Sequence, residues 1–252
     1  MLIDHNYIWK KIKNNSIFSS IIFFESIPST NTFLKKNISS IKDGTVVIAL
    51  NQTAGKGTRN RKWISKAGSS LTFSLHLKVE FLHLSFLTLF IGVCIAKSIN
   101  RLKPNILNLK WPNDLYVEKN KVGGILVESI HHNNKKCDVI IGVGINLSSF
   151  NKGDHSYHSI GITDYSINQI CILILKEINA EIKTLFENPN LIVKRWNKLN
   201  MFKNKEVIVR LKDKKIFGTF IRIDFEKNLI IRHKTKMVRI ECEHIIDIKQ
   251  YE

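Results

Sequence analysis

The hydrophobic pattern of this chain changes once, near residue 203, and that change decides what it can fold into. Before it, β-branched stretches such as Thr45 to Leu50 alternate with long apolar runs of helical period; after it, only short apolar segments between charged turns remain. Mixed periods call for helices packed on a sheet, so residues 1–202 are expected to form an α+β domain and residues 203–252 a small β-barrel. Helices are expected at Met1 to Lys13, Asn31 to Asn37, Leu84 to Leu102, Asn168 to Phe186 and Ile192 to Leu199. Strands are expected at Ile21 to Phe24, Thr45 to Leu50, Leu71 to Leu77, Leu107 to Trp111, Leu115 to Val117, Ile125 to Ser129 and Val139 to Ile145. Leu71 to Leu77 alternates apolar and polar residues as a half-buried strand does, and Asn120 falls in a turn. The tail adds Val207 to Leu211, Ile216 to Asp224, Leu229 to His233, Met237 to Glu241 and Ile245 to Ile248.

Charge alone suggests a polyanionic partner, since 39 basic against 21 acidic side chains give a net +18. The kind of cation argues otherwise. Only 8 of the 39 are Arg, and 39 Ile with 24 Asn against 5 Ala has the look of AT-rich codon usage. A duplex reader favours the arginine fork, so no specific nucleic acid is expected. Cys94, Cys137, Cys171 and Cys242 form no CxxC pair and match no zinc framework, which fits reduced thiols in a cytoplasmic protein. His131, His132, His155 and His158 have the wrong spacing for a metal site and read as surface residues. Lys10 to Lys13 followed by Ile17 to Phe24 imitates a signal peptide, but Ser19, Ser20 and Glu25 interrupt it. The most apolar window, Leu84 to Ala96, falls short of the about 20 residues of a membrane span. No membrane partner is expected.

Three segments carry polar chemistry. The loop from Ala54 to Trp63 holds Lys56, Arg59, Arg61 and Lys62 with two glycines, the donors that a phosphate or carboxylate needs, yet Leu50 stands where a Walker loop has its first glycine. Asn113 and Asp114 follow Pro112 at the end of an apolar strand, where a magnesium ion or a nucleophile is met; Asn and Asp after Pro are also common turn formers. Lys121 can aim its ammonium at the same point. Ile141 to Leu147 is a strand with two glycines ending in Asn146; it lacks the third glycine of a dinucleotide fingerprint, and its glycines leave room for a ligand against the backbone.

Taken in order, STN at 29–31, the loop to Trp63, KWPND with KVGGILVE, and GVGIN closely resemble the biotin protein ligases, also called biotin acetyl-CoA-carboxylase ligases. The resemblance is firm from Phe24 to Leu147 and looser in the tail, where KKIFGTFIRID resembles the family's SH3-like domain. It implies an α+β fold with a class II synthetase-like mixed sheet in the catalytic domain, 1–202, followed by a small SH3-like β-barrel, 203–252. It also implies two steps: biotin and MgATP give biotinyl-5′-AMP, and biotin then passes to a lysine of the biotin carboxyl carrier protein of acetyl-CoA carboxylase. Carried over by motif, Ser29, Thr30, Asn31, Gln52, Lys56, Gly57, Thr58 and Lys121 would bind biotin. Lys56, Arg59, Arg61, Trp63, Asn113 and Asn146 would bind ATP. Lys121, Arg59 and Asp114 would be catalytic, with Asp114 also the magnesium ligand and the group that orients or deprotonates the acceptor lysine. A homodimer through an exposed strand is a further possibility in the family.

Departures from the family matter. Its loop commonly reads GRGRRGR where this chain reads GKGTRNR. Thr58 replaces an arginine associated with retaining the adenylate, and Asn60 replaces a turn glycine, tolerable because Asn accepts left-handed geometry. The ECEHIIDI ending also lacks the usual GEVSLR-like pattern. Bifunctional members carry an N-terminal DNA-binding domain; 28 residues precede Ser29, below the about 40 of an unaided fold, so no repressor activity is expected. A lipoate or octanoate ligase shares the fold, but a fatty chain wants an apolar tunnel rather than the STN and Gln52 set.

Overall fold

The computed structural model describes residues 3–131, 135–153 and 155–251, the side chains of residues 60 and 131 excepted. Seven strands make the main sheet: β1 (Ser20–Ile27), β2 (Thr45–Gln52), β3 (Ser70–Glu80), β4 (Leu107–Lys110), β5 (Asp114–Val117), β6 (Asn120–His131) and β7 (Lys136–Asn146). Their spatial order is β1-β2-β3-β7-β6-β5-β4, with β1 and β2 parallel and the other neighbours antiparallel. One face is covered by α3 (Phe81–Leu102), on which α4 (Ile167–Glu187) and α5 (Pro189–Leu199) pack, with α1 (His5–Ile12) against α4. The other face receives the short α2 (Thr30–Lys36), whose Leu34 packs on Val47 and Ile140. A hairpin of β8 (Phe150–Lys152) and β9 (His155–Tyr157) follows the sheet.

Local chemistry sets the helix starts. Asp4 and Ser29 cap α1 and α2 through their side-chain oxygens, Ser166 and Gln169 form a reciprocal capping box on α4, and Asn188 with Pro189 opens α5. The α3 helix runs beyond the apolar window to 22 residues, long and apolar enough to cross a membrane. With 67% of that span buried, it is a core helix.

The terminal unit comprises β10 (Glu206–Arg210), β11 (Lys215–Ile223), β12 (Asn228–His233), β13 (Lys236–Glu241) and β14 (Asp247–Gln250), antiparallel in the order β13-β12-β11-β10-β14. Its apolar face buries Val207, Val209, Phe220, Leu229, Ile231 and Ile248. The Asn197 side chain joins it to α5 by two 2.8 Å bonds to the backbone of Ile223, and Lys110 faces Asp247 at 3.4 Å.

Several expectations need correction. The β3 strand is buried on both faces, because Thr72, Ser74 and His76 face α2 and its surroundings rather than solvent. The turn before β6 is made by Glu118, left-handed at φ 53°, and Asn120 already belongs to the strand. The last strand starts at Asp247 rather than Ile245, since Cys242–His244 forms a 3-10 turn first. The β8–β9 hairpin was not foreseen.

Candidate active site

A cavity of about 430 Å³ opens on the α2 face of the sheet, within the range of small-molecule sites. Its neutral end is built where β2 and α2 converge. Ser29 caps α2 by accepting the Thr32 N–H at 3.3 Å, which leaves Thr30 in the first turn. The Thr30 N–H donates to Gln52 Oε1 at 2.9 Å, tying the end of β2 to the helix start. Asn31 Nδ2 donates to Glu128 Oε2 at 3.0 Å, and Ser74 Oγ lies 2.6 Å from both Asn31 Oδ1 and Thr30 Oγ1. Ser29, Thr30 and Asn31 are each no more than 4% exposed, so every one of these polar groups needs its partner.

The two glycines of β7 have a specific use. A Cβ at Gly142 would come within 2.3 Å of Asn31 Oδ1, and one at Gly144 within 2.4 Å of the Trp63 ring. The room expected for a ligand is thus taken by two of the protein's own side chains, whose outer surfaces then line the cavity.

The cationic end is a closed loop. Trp63 N–H donates to Gly55 O at 2.9 Å and Gly57 N–H to Arg61 O at 2.7 Å, with Lys56 and Lys62 bridged between them. Arg61 folds back onto Thr58, donating to Oγ1 at 3.1 Å and to its carbonyl at 3.3 Å. Arg59 carries the left-handed conformation of this turn, φ 57° and ψ 43°; the glycine-like role had been expected of Asn60, whose side chain lies outside the described residues.

Sequence-derived candidates separate into three groups. Ser29, Thr30, Asn31, Gln52, Lys56, Gly57, Thr58, Arg61, Trp63, Asn113, Lys121 and Asn146 all line the cavity. Arg59 does not. Its guanidinium donates to the carbonyls of Ile246 at 2.6 Å and Ile245 at 3.1 Å, because the left-handed turn aims it at the terminal unit. Asp114 is also outside the lining and pairs with Lys121 Nζ at 2.5 Å. Asn113 and Asn146 are partly committed to backbone, donating to Ile125 O at 2.7 Å and His158 O at 3.0 Å.

Lys62, one of the loop's expected anion donors, lines the cavity as well, and so do Ser156, Tyr157 and His158, which the sequence did not mark as ligands. Only Gly153, left-handed at φ 58° between β8 and β9, marked the hairpin that brings three of them there. His155 is exposed on β9, and His132 lies outside the described residues. Near Lys121, burial and the carboxylates of Asp114 and Asp247 push the Tyr116 phenol up to about 12 against the pull of Arg61, so it stays protonated and is no base.

Among the described residues the lining holds four cations, Lys56, Arg61, Lys62 and Lys121, and no carboxylate. Such a wall suits an anion. Magnesium fits these side chains poorly: Asp114 is committed to Lys121, and no group of three acidic, histidine or cysteine side chains suited to a metal occurs among the described residues. A magnesium ion carried in on phosphates would complete its shell mainly with phosphate oxygens and water.

Residues 23–146 match the biotin/lipoate A/B protein ligase family. The bifunctional ligase/repressor BirA of Escherichia coli (strain K12) is 34% identical over 223 residues, 84% of this chain and 69% of BirA. The biotin--[acetyl-CoA-carboxylase] ligase of Mycobacterium tuberculosis is 30% identical over 150 residues, 56% of this chain and 54% of that one. In fold, a biotin protein ligase from Aquifex aeolicus in complex with biotin and ATP superposes with a TM-score of 0.78 at 23% identity, covering 93% of this chain and 100% of the other. The extent of the BirA match, joined to a cavity that brings the family's motifs together, shows that the chain belongs to the biotin protein ligases of the biotin/lipoate A/B protein ligase family.

Proposed function

We propose that the chain condenses biotin with ATP to biotinyl-5′-AMP and then passes the biotinyl group to one lysine of a biotin carboxyl carrier protein. The observation that carries this is the two-ended cavity: a neutral hydrogen-bonding floor of buried Ser29, Thr30 and Asn31 with half-buried Gln52 faces a cationic wall that, among the described residues, holds no carboxylate. A cyclic urea is neutral and wants neutral partners, whereas a carboxylate meeting a triphosphate brings two anions that repel until cations stand between them.

In the first step a biotin carboxylate oxygen attacks the α-phosphorus, the mixed anhydride forms and pyrophosphate leaves. Lys121, Lys56 and Arg61 neutralise the charge that accumulates, and Asp114 holds Lys121 in place. Trp63 and Asn146 stand at the nucleotide side. In the second step the neutral acceptor amine attacks the acyl carbon, AMP departs and the amine loses a proton. A magnesium ion arriving with ATP would add charge neutralisation at the phosphates, held by phosphate oxygens and water rather than by these side chains. Arg59 acts at one remove, seating the loop on the terminal unit. In this reading residues 1–202 are the catalytic domain and residues 203–252 the small domain on which that seat is built.

Incubating the protein with biotin, MgATP and a biotin carboxyl carrier domain, then weighing the carrier, tests the proposal. A gain of one biotinyl group on one lysine is expected. No gain, or incorporation of lipoate in preference to biotin, overturns it.

A further inference from the structure

The floor of the cavity contains a row of hydrogen bonds whose direction is fixed from one end. Ser74 Oγ is fully buried and has one proton for two oxygens, each 2.6 Å away: Asn31 Oδ1 and Thr30 Oγ1. Which contact receives that proton depends on how the Asn31 amide is turned. Glu128 decides the turn, because its carboxylate only accepts and lies 3.0 Å from the Asn31 nitrogen. Lys35, 3.3 Å from the other carboxylate oxygen, holds Glu128 in place on the same face. With Nδ2 facing Glu128, Oδ1 faces Ser74, and an amide oxygen has no proton to give.

Ser74 therefore donates to Asn31, and the contact with Thr30 is a donation from the threonine. The alternative, Thr30 donating to Gln52 Oε1 at 3.2 Å, would leave two proton-free oxygens 2.6 Å apart. That repulsion exceeds the one left at 3.2 Å. Once its proton is spent on Ser74, Thr30 Oγ1 presents lone pairs only. Gln52 is fixed in the opposite sense, since its Oε1 takes the Thr30 N–H at 2.9 Å and Nε2 has no partner among the described residues. The floor then offers an acceptor at Thr30 and a donor at Gln52.

We propose that Glu128, acting through Asn31 and Ser74, is a positioning residue that sets this polarity and thereby selects a cyclic urea, N–H toward Thr30 and C=O toward Gln52. The inference rests on the biotin reading above and adds to it two residues, Glu128 and Ser74, that no ligand need touch.

The test is calorimetric titration of biotin into the wild-type protein, Glu128→Gln, Ser74→Ala and the double variant, with KM for ATP and kcat at saturating biotin measured in parallel. Each single variant is expected to weaken biotin binding by about tenfold, the scale of one hydrogen bond, and to leave KM for ATP and kcat unchanged. The double variant is expected to be no worse than the weaker single one, because both changes break one row. Glu128→Gln is nearly isosteric and keeps the test open should Ser74→Ala fold poorly. Biotin affinity within twofold of wild type in Glu128→Gln, losses that add in the double variant, or an equal loss in ATP handling overturns the inference. A wild-type protein that binds no biotin overturns the biotin reading itself.

Discussion

Lys121 is a lining cation already held by a carboxylate. It reaches over Gly124, pairs with Asp114 at 2.5 Å and faces the cavity, so its ammonium is aimed before any ligand arrives. Removing one such preorganised donor typically costs about 10² to 10³ in rate. Lys121→Ala is expected to lose that much in pyrophosphate release with biotin and ATP; a loss of only a few-fold removes Lys121 from the step. Thr58 is the opposite case. Its hydroxyl is occupied by Arg61, so the loop offers no charge at this position. Thr58→Arg is expected to slow dissociation of biotinyl-5′-AMP severalfold, read by chasing a labelled intermediate, and an unchanged rate discredits the idea. Most candidate residues were legible in the sequence as lining residues because each motif places small or polar residues at a strand end or helix start, where the sheet brings them together. Arg59 was not, because the direction of its side chain follows from a left-handed φ that its neighbours in sequence do not announce.

At the scale of elements, strands and helices were legible from their periods, and the errors have a common cause. Alternation in β3 signals one apolar face, but it does not tell whether Thr72, Ser74 and His76 meet water or a polar site. Here Ser74 meets α2, Thr72 donates to the Ala49 carbonyl, and His76 lies between the Lys42 carbonyl and Asp138. The three helices on the other face are joined by ions that period alone does not reveal: Glu181 contacts Lys97 at 2.5 Å and Arg195 at 2.6 Å, and Glu177 contacts Lys97 at 2.6 Å and Arg101 at 2.5 Å. Burial pushes the Glu181 carboxyl up, but hydrogen bonds from Lys97, Arg195 and Thr184 outweigh it and hold it at about 2. Its folded pKa is thus depressed. The stability it contributes is complete above the ordinary carboxylate pKa and disappears as the pH falls toward 2. Denaturant midpoints are expected to drop over this window in the wild type, and Glu181→Gln to flatten the drop while lowering the midpoint at neutral pH. Parallel curves for the two proteins would show that the cluster does not hold the α3, α4 and α5 packing.

For the whole molecule, the dominant quantity is the net charge of +18 and how it is carried. Four of the cations line the cavity, and Arg59, Lys110 and Arg239 are spent on contacts with backbone or carboxylates. Much of the remainder is lysine on flexible stems, which attracts polyanions without fixing their register. A field of this sign raises the encounter rate with ATP and with any acidic carrier surface, and it also draws nucleic acid to the surface without specificity. The structure therefore predicts duplex binding that is weak near physiological salt, on the order of 10⁻⁴ to 10⁻⁶ M, and falls linearly in log K against log salt. Because arginines are few and Arg59, Arg101, Arg195 and Arg239 are engaged with backbone or carboxylates, binding should differ by only a few-fold among sequences. Fluorescence anisotropy with several unrelated duplexes across a salt series makes the measurement. A single sequence bound a thousandfold more tightly than the others at equal salt would show that the charge carries a specific reader, and that the lysine-rich surface has been misjudged.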